Sequence, residues 1–431
     1  MSRFRCLIYL VAFVSLVDSN AAGADFQAGA AFRLITPDPL LPITGGMGPT
    51  APATGKKGDL SVRAIVVADA DTKIAMVSVD SLGFPSALGD RARAKIHQIR
   101  PDHVLIGATH THSAPDTYAF PDGKGGHTGN LDYMQTVCDR IAEAVNEAEQ
   151  NLAPAQLRVA TGEFRGRIAY NFYAPDLYDR RGSVMQFVSP DGDTIGTLVN
   201  YAVHPEVLGA GRGIVSPDLV GPMCDRIEGR VGGVAMFMNG AQGGMITADN
   251  RDLDRPTDAV RGYWHDERTW EECVRIGEQL ANESLRVLTE SALQKNPTVK
   301  CVARTVTFPV ESDDIWMVVQ HSPLKYPHTD ARQVSTQVNL VEIGNVQIAT
   351  IPGEALPNIG FYLKRKMSGK HNLLFGLTND AFGYILTEVD YNSFPRYDYI
   401  SRVSLGEKTG SILIKETLDL IHTHGMSPAS K

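Results

Sequence analysis

A chain of 431 residues, 43% hydrophobic and 21% charged, is long enough for one large domain or two to three ordinary ones and has the composition of a globular protein. Its formal net charge of −8 and the lack of a basic run argue against a nucleic-acid partner. The acidic balance favours solubility without naming a partner. In chain order, the N-terminus reads as a secretory signal. Arg3 and Arg5 precede the apolar run Cys6–Val17, and Ala22-Gly23-Ala24 forms a small-residue cleavage site. The run is short for a membrane span. Residues 1–24 are therefore expected to be removed, leaving 25–431 as one catalytic-type domain of a secreted or periplasmic protein. Cys138, Cys224, Cys273 and Cys301 then remain, with no C-x-x-C pair among them. Zinc–cysteine chemistry is disfavoured, an exported setting permits disulfides, and buried free thiols are the alternative.

After the turn-forming I-T-P-D-P within Ala31–Leu41 and Gly45-Gly46-Met47-Gly48, Ser61–Ala68 and Lys73–Val79 read as a hairpin ending at Asp80, a carboxylate in a supporting place. Ser86–Ile99 reads as a helix, and His103–Gly107 as a strand running into Ala108–Asp116. There His110 and His112 stand one residue apart. On an extended strand they would share a face, which suits a metal or acid/base site as well as two imidazoles bonded to nearby backbone. Pro121–Asn130, with His127, reads as a polar loop near the pocket. Asn130–Leu152 reads as an amphipathic helix burying Met134, Val137, Ile141, Val145 and Ala148. Thr194–Val203 is a strand closed by His204, and Pro217-Asp218 leads into a helix. Gly232–Met238 is a strand that ends in Asn239-Gly240-Ala241-Gln242-Gly243-Gly244, where glycine lets backbone N–H groups approach a ligand. Asp249, Asp252, Asp254 and Asp258 lack the spacing of a calcium loop, so Asp249–Arg268 reads as a solvated loop. Trp270–Leu288 and Ser411–Ile421 read as helices, and Val302–Pro309, Val334–Ile351 and Asn372–Leu377 as β segments. No internal repeat or linker divides the chain. Hairpins mixed with helix-connected strands predict an α/β fold of mixed sheets covered by helices.

Four strand ends thus present His110 with His112, His204, Glu354 and Tyr384. Two imidazoles and a carboxylate form a known catalytic zinc set with a position left for water, and a phenolate can add an oxygen. The motifs A-T-H-T-H-S at Ala108–Ser113, N-Y-A-V-H-P at Asn200–Pro205, N-G-A-Q-G at Asn239–Gly243, P-G-E at Pro352–Glu354 and G-L-T-N-D-A-F-G-Y at Gly376–Tyr384 occur in this order, followed by T-E-V-D-Y at Thr387–Tyr391. Together they resemble the N-terminal catalytic region of the neutral/alkaline ceramidase family, from about Ala31 to about Ile421. The resemblance implies a zinc ion held by His110, His204, Glu354 and Tyr384, with His112 beside it to orient or protonate a reacting group. It also implies cleavage of the N-acyl amide of ceramide into sphingosine and a fatty acid.

Three departures accompany it. Ile246 stands where the family's G-D-x-S-P carries serine and Gly244 where it carries aspartate, leaving Thr247 as the nearest hydroxyl. Phe172 follows Asn171 where the family has arginine. The C-terminal β-domain of full-length ceramidases is expected to be missing. The reading is therefore a secreted, Zn2+-dependent hydrolase that cleaves an amide or ester through metal-activated water. Its catalytic candidates are His112 and Thr247, and its substrate-binding candidates are Asn171, Asn239, Gly243 and Gly244. It would take a small-molecule or lipid-like substrate, with transient membrane-surface contact allowed and oligomeric state open. The alternatives are a hydrolase of a polar amide, peptide or ester, and a metal-containing binding protein without catalysis.

Overall fold

In the computed structural model, which describes residues 26–258, 260, 263–289 and 291–425, strands Gln27–Leu34, Ser61–Ala68 and Lys73–Val79 form an antiparallel meander. The expected signal segment lies outside the described residues. The chain next crosses over through helix Ser86–Arg93 and lays Val104–Ala108 parallel to Lys73–Val79. The same plan recurs with Gln156–Glu163, Arg181–Val188 and Thr194–Tyr201, after which helix Val220–Val231 leads to the parallel strand Val234–Asn239. It recurs again with Val299–Pro309, Gln333–Ile343 and Val346–Thr350, helix Pro357–Lys366, and the parallel strand His371–Phe375. A further helix follows each unit: Leu131–Gln150, Trp270–Leu288 and Thr409–His424. The chain, in which no repeat is evident by residue, is therefore a threefold repeat by topology. What the units share is apolar patterning, which many sequences satisfy.

The inner strands of each sheet are buried on both faces and read as near-continuous apolar runs, whereas outer strands such as Val299–Pro309 are partly exposed. Along Ser61–Ala68, Val62, Ala64 and Val66 pack outward under the helices of the first unit, while Ile65 and Val67 point to the molecular centre. There they meet Met185, Phe187 and Leu198 of the second sheet and Val341, Ile348 and Phe375 of the third. The three sheets thus share one central core, and the second and third also keep apolar cores beneath their own helices. The mixed α/β architecture and single domain match the sequence reading.

Helix Leu131–Gln150 buries the predicted stripe and is capped by Asn130, whose Oδ1 accepts from the Tyr133 N–H at 2.9 Å. The expected helix Ser86–Ile99 stops at Arg93. Lys95 and Ile96 make i to i−3 bonds that tighten the chain ahead of Pro101. The stretch Asp249–Arg268, expected as a loop, carries the hairpin of Arg251–Asp258 with Tyr263–Asp266. Arg251 replaces the missing apolar alternation there. It pairs with Asp249 and lies over the rings of Tyr170 and Trp264 at 3.9 and 5.0 Å. The four cysteines are free thiols, Cys301 half-buried and the others buried. Among the described residues no helix is long and apolar enough to cross a membrane.

Candidate metal centre

The parallel strand pairs of the three units end at one place. Ala108 N–H donates to Leu377 C=O at 3.1 Å and Gly376 N–H to Asn239 C=O at 2.9 Å, joining all three sheets. Asn239 is the staple. Its Nδ2 donates to Thr109 C=O (3.2 Å) and Val203 C=O (2.8 Å), and its Oδ1 accepts from the Val203 and Gly240 N–H groups. Its amide is thus committed to the strand ends.

The strand carrying the first histidines ends at Ala108, so the two imidazoles do not converge by strand alternation. Instead His110 takes φ +72°, and its N–H donates to Ser81 C=O at 3.0 Å. That left-handed turn brings its ring against His112, with the two Nε2 atoms 3.3 Å apart. His204 enters from the second unit, its backbone N–H on Ile246 C=O at 2.7 Å.

The protonation pattern follows from the partners. His110 Nδ1 faces Leu82 C=O at 2.5 Å and His204 Nδ1 faces Ile246 C=O at 2.9 Å. A carbonyl can only accept, so both Nδ1 atoms carry the hydrogen and the Nε2 atoms are the ones left to face a cation: that of neutral His110 as a lone pair, that of His204 once the proton it shares with Glu354 is displaced. Those Nε2 atoms face Glu354 Oε2, 3.5 Å from His110 and 3.0 Å from His204. His110, His204 and Glu354 are at most 5% exposed. Electron-rich atoms packed this closely away from water fit a cation between them. The donor atoms of His110, His112 and His204 lie within 4.8 Å of one another.

Burial depresses the His110 imidazolium to about 3, more than Glu354 can offset. Burial, reinforced by His204, does the same to His112. Both rings are therefore neutral, as imidazole ligands must be. For His204 burial also opposes the charge, but the hydrogen bond to Glu354 outweighs it and raises the ring above its ordinary value. Glu354 is correspondingly held low, the facing imidazoles overcoming its desolvation.

Tyr384 is the register partner of Glu354 in a short parallel ladder and lines the same cavity. Its hydroxyl donates to Met245 Sδ at 3.2 Å. Burial, with the Glu354 charge, pushes its phenol well above the usual range. Gly243 lies against the Glu354 strand, where an added Cβ would stand 2.1 Å from Glu354 C=O, and its N–H donates to Ala355 C=O at 2.9 Å. Gly244 turns the chain at φ +69°. Asn171 closes its own loop: Oδ1 accepts from the Tyr173 and Ala174 N–H groups, and Nδ2 donates to Leu177 C=O. Thr247 bridges His204 through the backbone and pairs with Tyr170, away from the cavity wall. Ile246 is fully buried in the core of the second unit. Exposed His127 bridges Pro121 and does not line the cavity.

Glu206 is the residue the sequence reading passed over. Its Oε2 sits 3.5 Å from His112 Nδ1. The signal was its place two residues after His204, in H-P-E. Two chambers adjoin at His112. One is a mainly apolar cavity of about 90 Å³ walled by Leu82, Phe120, Ile315, Val318, Phe382 and Leu405, with Tyr118, Asp380 and Tyr399 as polar points. The other is an open polar groove reached past His112 and lined by Glu206, Arg212 and Arg268.

The geometry defines an α/β protein of three sheets around one core with a candidate metal centre at their common end. The fold is that of neutral ceramidase. The crystal structure of neutral ceramidase from Pseudomonas aeruginosa matches with a TM-score of 0.72 at 17% identity, over 95% of this chain and 76% of that one. A ceramidase complexed with C2 matches with a TM-score of 0.70 at 17% identity, over 94% of this chain and 77% of that one. In sequence, neutral ceramidase of Pseudomonas aeruginosa is 25% identical over 132 residues, which is 27% of this chain and 19% of that relative's length. No family model matches the chain.

Proposed function

We propose that the protein is an exported, zinc-dependent hydrolase of amide or ester bonds. One observation carries the reading. Two buried imidazoles have their Nδ1 hydrogens tied to backbone carbonyls, so both Nε2 atoms are turned to one buried carboxylate. His110, His204 and Glu354 would hold the ion, with Tyr384 on the neighbouring strand as a further oxygen donor. Zinc in such a set lowers the pKa of bound water to about 7 and polarises a carbonyl. The chain does the rest. Neutral His112, set between His110 and Glu206, would accept a proton from the attacking water and pass it to the leaving atom, and Glu206 orients its ring. The apolar chamber takes the acyl half and excludes water from it.

The ceramidase likeness in fold supports the hydrolase class. The burial of Ile246 at the family's serine position supports a reaction carried by the metal side, on an amide other than ceramide. The test is stripping with EDTA followed by zinc add-back, with metal content measured alongside hydrolysis of N-acyl and ester substrates. Activity that tracks zinc is the expected result. Full-rate hydrolysis by a verified metal-free sample defeats the reading, and tight ligand binding without turnover by a zinc-loaded sample would identify a binding protein instead. N-terminal sequencing of the exported protein tests the cleavage site, with Asp25 expected first.

A further inference from the structure

The polar groove on the far side of His112 contains two arginines that the proposed hydrolysis does not use. Arg268 is a fixed feature. Its Nη2 pairs with Asp266 Oδ2 at 2.8 Å and its Nη1 lies 3.4 Å from Glu206 C=O. Gly209, at φ +67°, makes room for it, since an added Cβ there would stand 2.8 Å from Nη1. Arg212, on the short helical turn Ala210–Arg212, lines the same groove, is exposed, and has no ion pair among the described residues. Glu206, the groove's own carboxylate, is turned to His112. The groove thus offers guanidinium groups beside the imidazole that would protonate a leaving nitrogen. The opposite chamber is apolar.

We infer that the substrate is an N-acyl amide whose amine half carries a carboxylate, an N-acyl amino acid, with its acyl chain in the apolar chamber and its carboxylate on Arg268 and Arg212. This rests on the hydrolase reading above and names its substrate class. A guanidinium recognises a carboxylate through paired charged hydrogen bonds, which a neutral headgroup cannot supply. In the reaction, the C–N bond breaks and water oxygen bonds to the acyl carbon. Both water hydrogens end on the nitrogen, one as it leaves and the second as the new carboxylic acid ionises, giving a fatty carboxylate and an ammonium amino acid.

The test compares dodecanoyl-glycine with dodecanoyl-glycinamide, which differ only in the charge of the headgroup, by release of free amine from the zinc-loaded protein. The acid should be preferred by about tenfold or more in kcat/KM. That preference should fall about tenfold in Arg268→Gln through KM for the acid, fall less in Arg212→Gln, and be partly kept in Arg268→Lys. Thermal melts confirm that the variants fold. A wild-type ratio near one, or a ratio unchanged in the Arg268→Gln/Arg212→Gln double variant, overturns the inference. If neither compound is hydrolysed, calorimetric binding of the same pair decides it. Charge-selective binding lost in the double variant upholds the inference while the hydrolase reading fails, and equal binding overturns it.

Discussion

The imidazole–carboxylate cluster and the turn 243–247 lie against each other, yet they contribute in different ways. The cluster acts through side chains: two imidazole Nε2 atoms and a carboxylate, brought from three separate units. The turn acts through backbone. Ile246 C=O receives both the backbone N–H and the Nδ1–H of His204, and the missing Cβ of Gly243 lets the turn lie on the Glu354 strand. The side chain of Ile246 points the other way, into the core under helices Val220–Val231 and Trp270–Leu288. A role delivered by a carbonyl is indifferent to the side chain on the same residue. The side chain at position 246 can therefore change while the carbonyl that holds His204 stays in place.

The largest effect should come from the cluster. His204→Ala removes one lone pair and should abolish stoichiometric zinc, read by elemental analysis, and lower hydrolysis on the order of 100-fold or more. Ile246→Ser probes the turn in the opposite sense. It leaves the carbonyl in place but opens a cavity and buries a hydroxyl, so it should cost about 2–4 kcal/mol in denaturant unfolding while zinc content stays at wild type. Zinc loss in folded Ile246→Ser would erase the distinction between the two regions.

Asp380 tests the cavity wall between them. Burial pushes its carboxyl up to about 6 even though the Ser86 and Ala381 N–H groups donate to it. With its folded value above the unfolded one, its contribution is fully present below about pH 4 and is lost as pH rises through about 6, a span of about 3 kcal/mol. Asp380→Asn should flatten the unfolding free energy across that window. Glu206→Gln weakens the orientation of His112 while leaving the proposed metal ligands intact, and should lower kcat about tenfold with zinc retained. The mildest change, Ile246→Val, should cost about 1 kcal/mol and alter neither zinc nor turnover.

Much of the candidate centre was legible in the sequence because its residues close strands. His110, His204 and Glu354 each follow an apolar run and precede a turn, which local patterning exposes. Glu206 and Arg268, in polar loops, and Tyr399, on the short helix Asp398–Arg402, were not legible, since their approach to the histidines depends on where three units meet. The proposed substrate contacts of Asn171 and Asn239 show the converse. Asn239, beside a glycine turn, and Asn171, singled out by the resemblance, both look like ligand contacts, but here both amides complete backbone hydrogen bonds inside the fold.

By itself the sequence determined the α/β class, the strands, the long helices and the residue types of the centre. All of these follow from short-range periodicity and from which side chains can hold a metal. Only the tertiary structure decided that three βββαβ units share one core, and that His110 reaches its neighbours through a left-handed turn. It also decided that Ile246 serves the site with its carbonyl and the core with its side chain. The physical reason is that apolar alternation specifies which face of a strand is buried but not what it is buried against. That partner is set by long-range packing, and the direction of a single backbone carbonyl is settled with it.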